Sequence, residues 1–360
     1  METKIQSRSS FQNGTIDVVK FLCALLIVTA HFITENAENK VPSFVNYFVS
    51  LYVIVVPFFF VCGGYFLFRK IFSEREKGKV YIKNYLKKIL IMYLAWSAVY
   101  VLFKIAAWIR FGVTFDEITQ YLFRAVLYST YKTIWFLPAL GIGVLITYLL
   151  EKKFGMKITL IVAGCFYLIG ALGVSYSFIL KGTPAASVLD TYNYFFESTR
   201  NGVFNAFPFV TLGALLAAGK IKTDVTEKRS SVVPDLIFTL LFGALFVAEA
   251  FLIKTKFSAV NANTLLFLVP FSYFFVKLCL SIPMPSNKVT LWMRKMSTVI
   301  FLCQRVFLTA LPVLLPESIF ASVLSGNCYI GLTAVLISVL AVSALLLLLS
   351  KKIKFFSYFC

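Results

Sequence analysis

His31 is the single histidine of the chain, and it lies in an apolar stretch that also carries Asp17, Lys20 and, just past it, Glu35. On a helix turning about 100° per residue, Lys20 and His31 differ in direction by only about 20°, with Asp17 and Glu35 about 40° to one side. Four ionisable side chains therefore share one narrow face, and the small Ala24 on it leaves room for a partner or ligand. Each such group costs roughly 2.5–3.5 kcal/mol to insert in a hydrocarbon layer, so a row of them implies a polar cavity. An imidazole with an ordinary pKa of about 6.5 could there move a proton or act as a nucleophile. Structural readings stand beside this one. The histidine could be satisfied by a helix partner, Lys20 could snorkel to the headgroups, Asp17 could cap the helix, and Glu35 could be solvated at the helix exit.

The elements that must position these groups follow from composition. The 360 residues are 59% hydrophobic and 14% charged, with a mean hydropathy of +0.85, against roughly 45–50% and 25% in soluble domains. Soluble enzymes, collagen-like fibres and disordered chains are excluded. Runs such as 332–349 are apolar all round, as membrane helices are and the alternating strands of a membrane barrel are not. The expected fold is all-α: one polytopic integral membrane bundle over 1–360, with about ten transmembrane helices. Hydropathy puts these at 16–34, 44–68, 89–109, 133–150, 158–179, 203–219, 233–253, 264–282, 297–315 and 329–350. A basic start before an apolar run also fits a signal peptide, but nine further spans favour a retained first helix. With both termini cytoplasmic, the inner segments hold 23 of the 35 Lys and Arg residues and the outer loops 8, as the positive-inside rule requires. The net charge of +19 thus reads as topology rather than as nucleic-acid binding. The seven cysteines show no C-x-x-C spacing, so no metal site or disulfide framework is implied. No soluble domain is expected, because the inner loop 69–88 and the outer segments 110–132 and 180–202 are too small to fold alone.

Several stretches combine into a pattern. The first helix reads I-D-x-x-K-x-x-x-A-x-x-x-x-x-x-H from Ile16 to His31, and residues 57–67 read P-F-F-F-V-C-G-G-Y-F-L. Residues 81–90 read Y-I-K-N-Y-L-K-K-I-L, 135–140 read W-F-L-P-A-L, and 293–304 read M-R-K-M-S-T-V-I-F-L-C-Q. In this order and spacing the series resembles the acyltransferase 3 family of membrane acyltransferases over most of the chain. Two positions depart from that family: Gln304 stands where a late-helix histidine is frequent, and the inner loop carries Lys where Arg is usual, which keeps charge but loses the bidentate fork.

The resemblance implies transfer of an acyl group, with acetyl expected, from cytoplasmic acyl-CoA to a hydroxyl or amine of an extracytoplasmic glycan, at the plasma membrane. Acyl-CoA would be a co-substrate, with no permanently bound cofactor. His31 is then the expected general base or acyl-carrying nucleophile, with Lys20, Asp17 and Glu35 as its catalytic companions. Arg69, Lys70, Lys83, Lys87 and Lys88 offer a positive surface for the donor phosphates, although positive-inside topology alone also produces such clusters. Trp135, Tyr192, Tyr194 and Arg200 mix aromatic and polar groups suited to a sugar, as an interfacial belt would too, and Gln304 and Arg305 could bind a carbonyl oxygen or the acceptor. Expected partners are membrane lipids, acyl-CoA and the glycan, with no nucleic acid; a separate partner protein is left open. The rival classes are a secondary transporter or flippase using the same intramembrane charges, and a non-catalytic scaffold or sensor.

Overall fold

Backbone polar groups in a hydrocarbon layer must be satisfied within each segment, which helices achieve. The computed structural model describes residues 13–37, 41–42, 45, 51–225, 232–257, 263–282, 284–310 and 327–360, and no strand occurs among them. The expected start of the second span (44, 46–50), the end of the ninth (311–315), and the basic residues Lys4, Arg8, Lys40, Lys228 and Arg229 lie outside the described residues.

The helices are α1 (Gly14–Phe32), α2 (Val55–Ser73), α3 (Gly78–Phe111), α4 (Phe115–Leu127), α5 (Phe136–Leu172) and α6 (Pro184–Phe196). They continue as α7 (Phe207–Val225), α8 (Val232–Lys256), α9 (Leu268–Ser281), α10 (Lys288–Arg305) and α11 (Cys328–Lys352), followed by a short turn of helix, Lys354–Phe359. Asn13 caps α1 by accepting from the Ile16 amide, and Asn287 caps α10 by accepting from Val289 and Thr290; each satisfies amides that the first helical turn leaves open. Single π-helical turns extend α1 (Ile33–Ala37) and α10 (Val306–Ala310) and precede α7 (Gly202–Ala206).

Among the described residues, seven helical segments are long and apolar enough to cross a membrane: Gly14–Glu35, Tyr52–Ser73, Arg75–Phe111, Phe136–Leu172, Gly202–Gly219, Val232–Lys256 and Cys328–Lys352. The difference from ten has physical causes. The expected fourth and fifth spans fall on α5, whose two arms meet at Gly155, where φ is 78° and ψ is 170°. The expected eighth is the 14-residue α9, and the expected ninth, α10, carries Lys288, Arg294, Lys295 and Arg305.

The basic loop expected at 69–88 is mostly helix: α2 runs to Ser73, one tight turn covers Arg75–Lys77, and α3 begins at Gly78. Nothing in the Lys-rich stretch breaks a helix, so the cations ride on α3 as it leaves the apolar layer. The segments expected to be outer, 110–132 and 180–202, hold two short helices. Amphipathic α4 starts with a capping box, in which Thr114 accepts from the Glu117 amide and Glu117 from the Thr114 amide, and it packs on α6.

The tightest crossing joins α2 to α7. A Cβ built on Gly64 would lie 2.4 Å from the Val210 carbonyl oxygen, and one on Gly213 2.2 Å from that of Val61, so the two backbones meet as small residues allow in membrane helices. α1 also packs extensively along α10. This contact runs from Asp17–Arg294 to Glu35–Arg305, which makes the two helices parallel.

Candidate functional site

The α1–α10 seam carries polar partners at three levels. At its start Asp17 is fully buried, and Arg294 donates to both its oxygens, Nε to Oδ1 at 2.7 Å and Nη2 to Oδ2 at 2.6 Å. This fork is the strong geometry for a guanidinium and a carboxylate. Lys20, one turn on, has no hydrogen bond or ion pair among the described residues; its ammonium lies 5.2 Å from the centre of the Phe66 ring of α2. Asp17 thus engages Arg294 rather than Lys20.

His31 lies three turns further along. Its Nδ1 is 3.0 Å from Oε1 of Gln304, and Nε2 of that amide donates to the Phe301 carbonyl at 3.0 Å. Because the amide nitrogen is already engaged with a carbonyl, Oε1 is the acceptor facing the ring, and Nδ1 of His31 carries the proton. The other ring nitrogen, Nε2, then presents a lone pair and makes no hydrogen bond among the described residues. The edge of Tyr52 meets the imidazole at 5.6 Å between ring centres. Gln304 is fully buried, so its single orientation is held by helix α10 itself.

One turn beyond, Glu35 accepts from Nη1 of Arg305, and Arg305 Nε donates to the Thr133 hydroxyl at 3.0 Å. The sequence offers Glu35 as a partner for His31, whereas here Glu35 pairs with Arg305 and Gln304 orients the ring. The turn before α5 braces this end through alternate residues. Tyr131 shares a 2.8 Å hydrogen bond with Thr309, Thr133 holds Arg305, and the Trp135 ring lies under the guanidinium of Arg200 at 5.3 Å. Trp135 also stacks on Tyr128 at 6.1 Å and meets the edge of Phe60. Arg200 lies within electrostatic reach of His31. The π-helical turns that follow His31 and Arg305 coincide with this end of the seam, and such turns are frequent at functional sites.

The remaining candidates lie elsewhere. Tyr192 accepts from Asn201 at 2.5 Å and stacks on Phe196, while the Tyr194 carbonyl accepts from Arg124, so both pack α6 in place. Arg69 donates to the Tyr65 hydroxyl at 3.3 Å, and Lys70, Lys83, Lys87 and Lys88 are exposed. Lys87 and Lys88 line a cleft of about 230 Å³ with Asn84, Met92, Tyr358 and Cys360. Burial raises the pKa of the Cys360 thiol in this cleft, and the charges of Lys88 and of Lys295, on α10, oppose that rise. The structure thus brings together His31, Gln304, Arg305, Glu35, Trp135 and Arg200 at one end of the seam and Asp17, Lys20, Lys87 and Lys88 toward the other. Sequence reasoning missed Arg294, Thr133 and Tyr131. Only the placement of Arg294 in the motif at 293–304 could have drawn attention to it. No group of His, Cys, Asp and Glu able to hold a metal occurs among the described residues.

The family model described as an acyltransferase domain matches residues 13–349. Among curated proteins, the chain is similar to two named amino-acid racemase from Enterococcus faecalis, both at 28% identity. One match covers 66% of this chain and 32% of that protein, the other 72% and 36%. A serine/alanine racemase from Enterococcus gallinarum is 26% identical over 74% of this chain and 36% of its own length. The chain therefore spans about a third of the length of the curated relatives it matches. No solved structure matches significantly.

Proposed function

This chain belongs to the acyltransferase 3 family, and from that premise we propose that it moves an acyl group, acetyl in the simplest case, from cytoplasmic acyl-CoA to a hydroxyl or amine of an extracytoplasmic glycan. The observation that carries the reading is the imidazole of His31, with Nδ1–H committed to Gln304 and the Nε2 lone pair without a hydrogen bond among the described residues. In direct transfer, Nε2 takes the proton of the acceptor hydroxyl as its oxygen attacks the thioester carbonyl. The tetrahedral adduct collapses, the C–S bond breaks, and the imidazolium returns the proton to the departing thiolate. In the two-step route Nε2 attacks the thioester carbonyl itself and the C–S bond breaks to release CoA thiolate; the acceptor oxygen then attacks the acyl-imidazolium, the acyl–nitrogen bond breaks to return neutral imidazole, and the acceptor's proton passes to the thiolate.

Eleven helical residues put Lys20 roughly 16 Å from His31 along α1, a span that a pantetheine arm covers. The donor phosphates would rest at the α10 entry, on the exposed Lys83, Lys87 and Lys88 with Arg69 and Lys70 near the end of α2. The acceptor would come to the Arg305, Trp135 and Arg200 end. This reading carries ten spans, both termini on the cytoplasmic side and a place in the plasma membrane. The test is transfer from labelled acetyl-CoA by purified protein to cell-envelope glycans. His31→Ala is expected to lower the rate about 10²–10⁴-fold, the usual contribution of a positioned general base. Undiminished transfer by that variant would overturn the assignment.

A second reading, transport of a small polar molecule, draws on the names of the relatives, which act on amino acids, and on the intramembrane charges of α1. Uptake of labelled serine or alanine into proteoliposomes without any consumption of acyl-CoA would favour it.

A further inference from the structure

Three guanidinium groups belong to the seam and its surroundings, and two of them are neutralised: Arg294 by Asp17 and Arg305 by Glu35. Arg200 is not. Its guanidinium makes no hydrogen bond or ion pair among the described residues, and its Nε is buried with no partner. Glu197, three residues earlier, is exposed and makes no ion pair among the described residues. Among the described residues, Gln304 is uncharged and Arg305 is balanced by Glu35, whereas the Arg200 guanidinium is paired with no carboxylate.

Arg200 is also held firmly. Asn201 accepts from the Val203 and Phe204 amides and donates to the Tyr192 hydroxyl, Thr199 donates to the Gly170 carbonyl at 2.8 Å, and Tyr128 donates to the carbonyl of Arg200 itself. The guanidinium lies over Trp135, itself 8% exposed, an apolar platform that stacks on the cation while leaving its N–H groups unspent. A partly buried guanidinium fixed in place without an acceptor is costly unless something supplies one, and a planar fork of N–H donors matches a carboxylate or a phosphate.

We propose that Arg200, backed by Trp135, binds an anionic group of the acceptor, a carboxylate or a phosphate, and so brings the acceptor's hydroxyl or amine to His31. The acceptor class is thereby narrowed to acidic molecules, such as uronic-acid or phosphate-bearing glycans. This inference rests on the reading that the acceptor enters at the Arg305 and Trp135 end of the seam.

The experiment measures binding alone, in the absence of acyl-CoA, to full-length purified protein at low ionic strength, by calorimetry and by Trp fluorescence. The probes are charge-matched pairs: galacturonate against galactose, and glycerol 3-phosphate against glycerol. At least one anion should bind about 10-fold or more tightly than its neutral counterpart, the scale of one charge-assisted contact. Preference for galacturonate identifies a carboxylate and preference for glycerol 3-phosphate a phosphate. Arg200→Gln should remove the preference, while Arg200→Lys, which keeps the charge but not the fork, should retain part of it. Arg200→Lys also serves if the Gln variant does not fold: it must then weaken the preference. Absence of binding by all four probes, equal binding within each pair, or a preference unchanged in the variants would overturn the inference. Failure of acetyl transfer would instead sink the proposed reaction and leave this binding result standing.

Discussion

A lone imidazole among apolar residues is ambiguous until its partner is known. Here the partner is a neutral amide, which specifies a tautomer without adding charge: Gln304 accepts from Nδ1 because its own nitrogen is engaged with Phe301. The carboxylate that the sequence places one turn away, Glu35, serves Arg305 instead. Gln304→Leu removes the acceptor from a half-buried N–H and frees the ring to turn. It is expected to lower kcat for acyl transfer about 10–100-fold, as small misplacements of catalytic groups do, and to destabilise the protein by about 1–3 kcal/mol. Steady-state kinetics and thermal unfolding of the purified variant measure both; an unchanged kcat would show that the amide does not set the working geometry of His31. The Asp17–Arg294 fork, by contrast, satisfies two charges with each other and joins α1 to α10.

At the scale of elements, parallel α1 and α10 are joined at three polar levels, Asp17 to Arg294, His31 to Gln304 and Glu35 to Arg305. The α2–α7 crossing beside them depends on the lack of side chains at Gly64 and Gly213. A Cβ at 213 would lie 2.2 Å from the Val61 carbonyl oxygen and 2.6 Å from the Tyr65 amide nitrogen, whereas nothing lies within 4 Å of one at Gly164. Gly213→Val is therefore expected to lose at least the about 1–3 kcal/mol typical of overpacking and to fail to elute as a monodisperse species, while Gly164→Ala elutes like the parent; size-exclusion chromatography separates the cases. In α4, hydrogen bonds from the Thr114 amide and hydroxyl hold the exposed Glu117 carboxyl below its ordinary pKa of 4.5. A lowered folded-state pKa means a contribution present above the ordinary value and lost as pH falls through the lowered one. Hydrogen exchange in 115–127, corrected for its intrinsic pH dependence, should therefore lose protection on acidification below the ordinary carboxylate range, and Glu117→Gln should flatten that change.

At the scale of the whole molecule, the two ends of the seam differ in character. Toward the α10 entry, Lys87 and Lys88 line a cleft, and Lys295 acts with Lys88 on its Cys360, while the far end gathers the imidazole, two guanidinium groups and aromatic rings. Acyl transfer across a membrane requires these ends to face opposite compartments. In intact cells, with Cys165 and Cys360 replaced by Ser, a membrane-impermeant maleimide should label Tyr194→Cys from outside and should reach Lys87→Cys only after the membrane is opened. Labelling of both from the same side would overturn the arrangement.

Much of this organisation is local and therefore legible in the chain itself. Apolar runs of membrane-spanning length, the shared face of Asp17, Lys20, His31 and Glu35, and the family resemblance all follow from residue order, because helical periodicity depends only on near neighbours. The pairing of that face is not local. Asp17 meets Arg294, His31 meets Gln304 and Glu35 meets Arg305 across 277, 273 and 270 positions. No periodicity encodes such contacts; they exist because close helix packing sets two distant segments parallel and in register. Residue order thus determined a membrane helical bundle with an ionisable stripe, and tertiary packing alone decided, among the described residues, which charges cancel, which nitrogen of His31 faces Gln304, and which arginine meets an aromatic ring rather than a carboxylate.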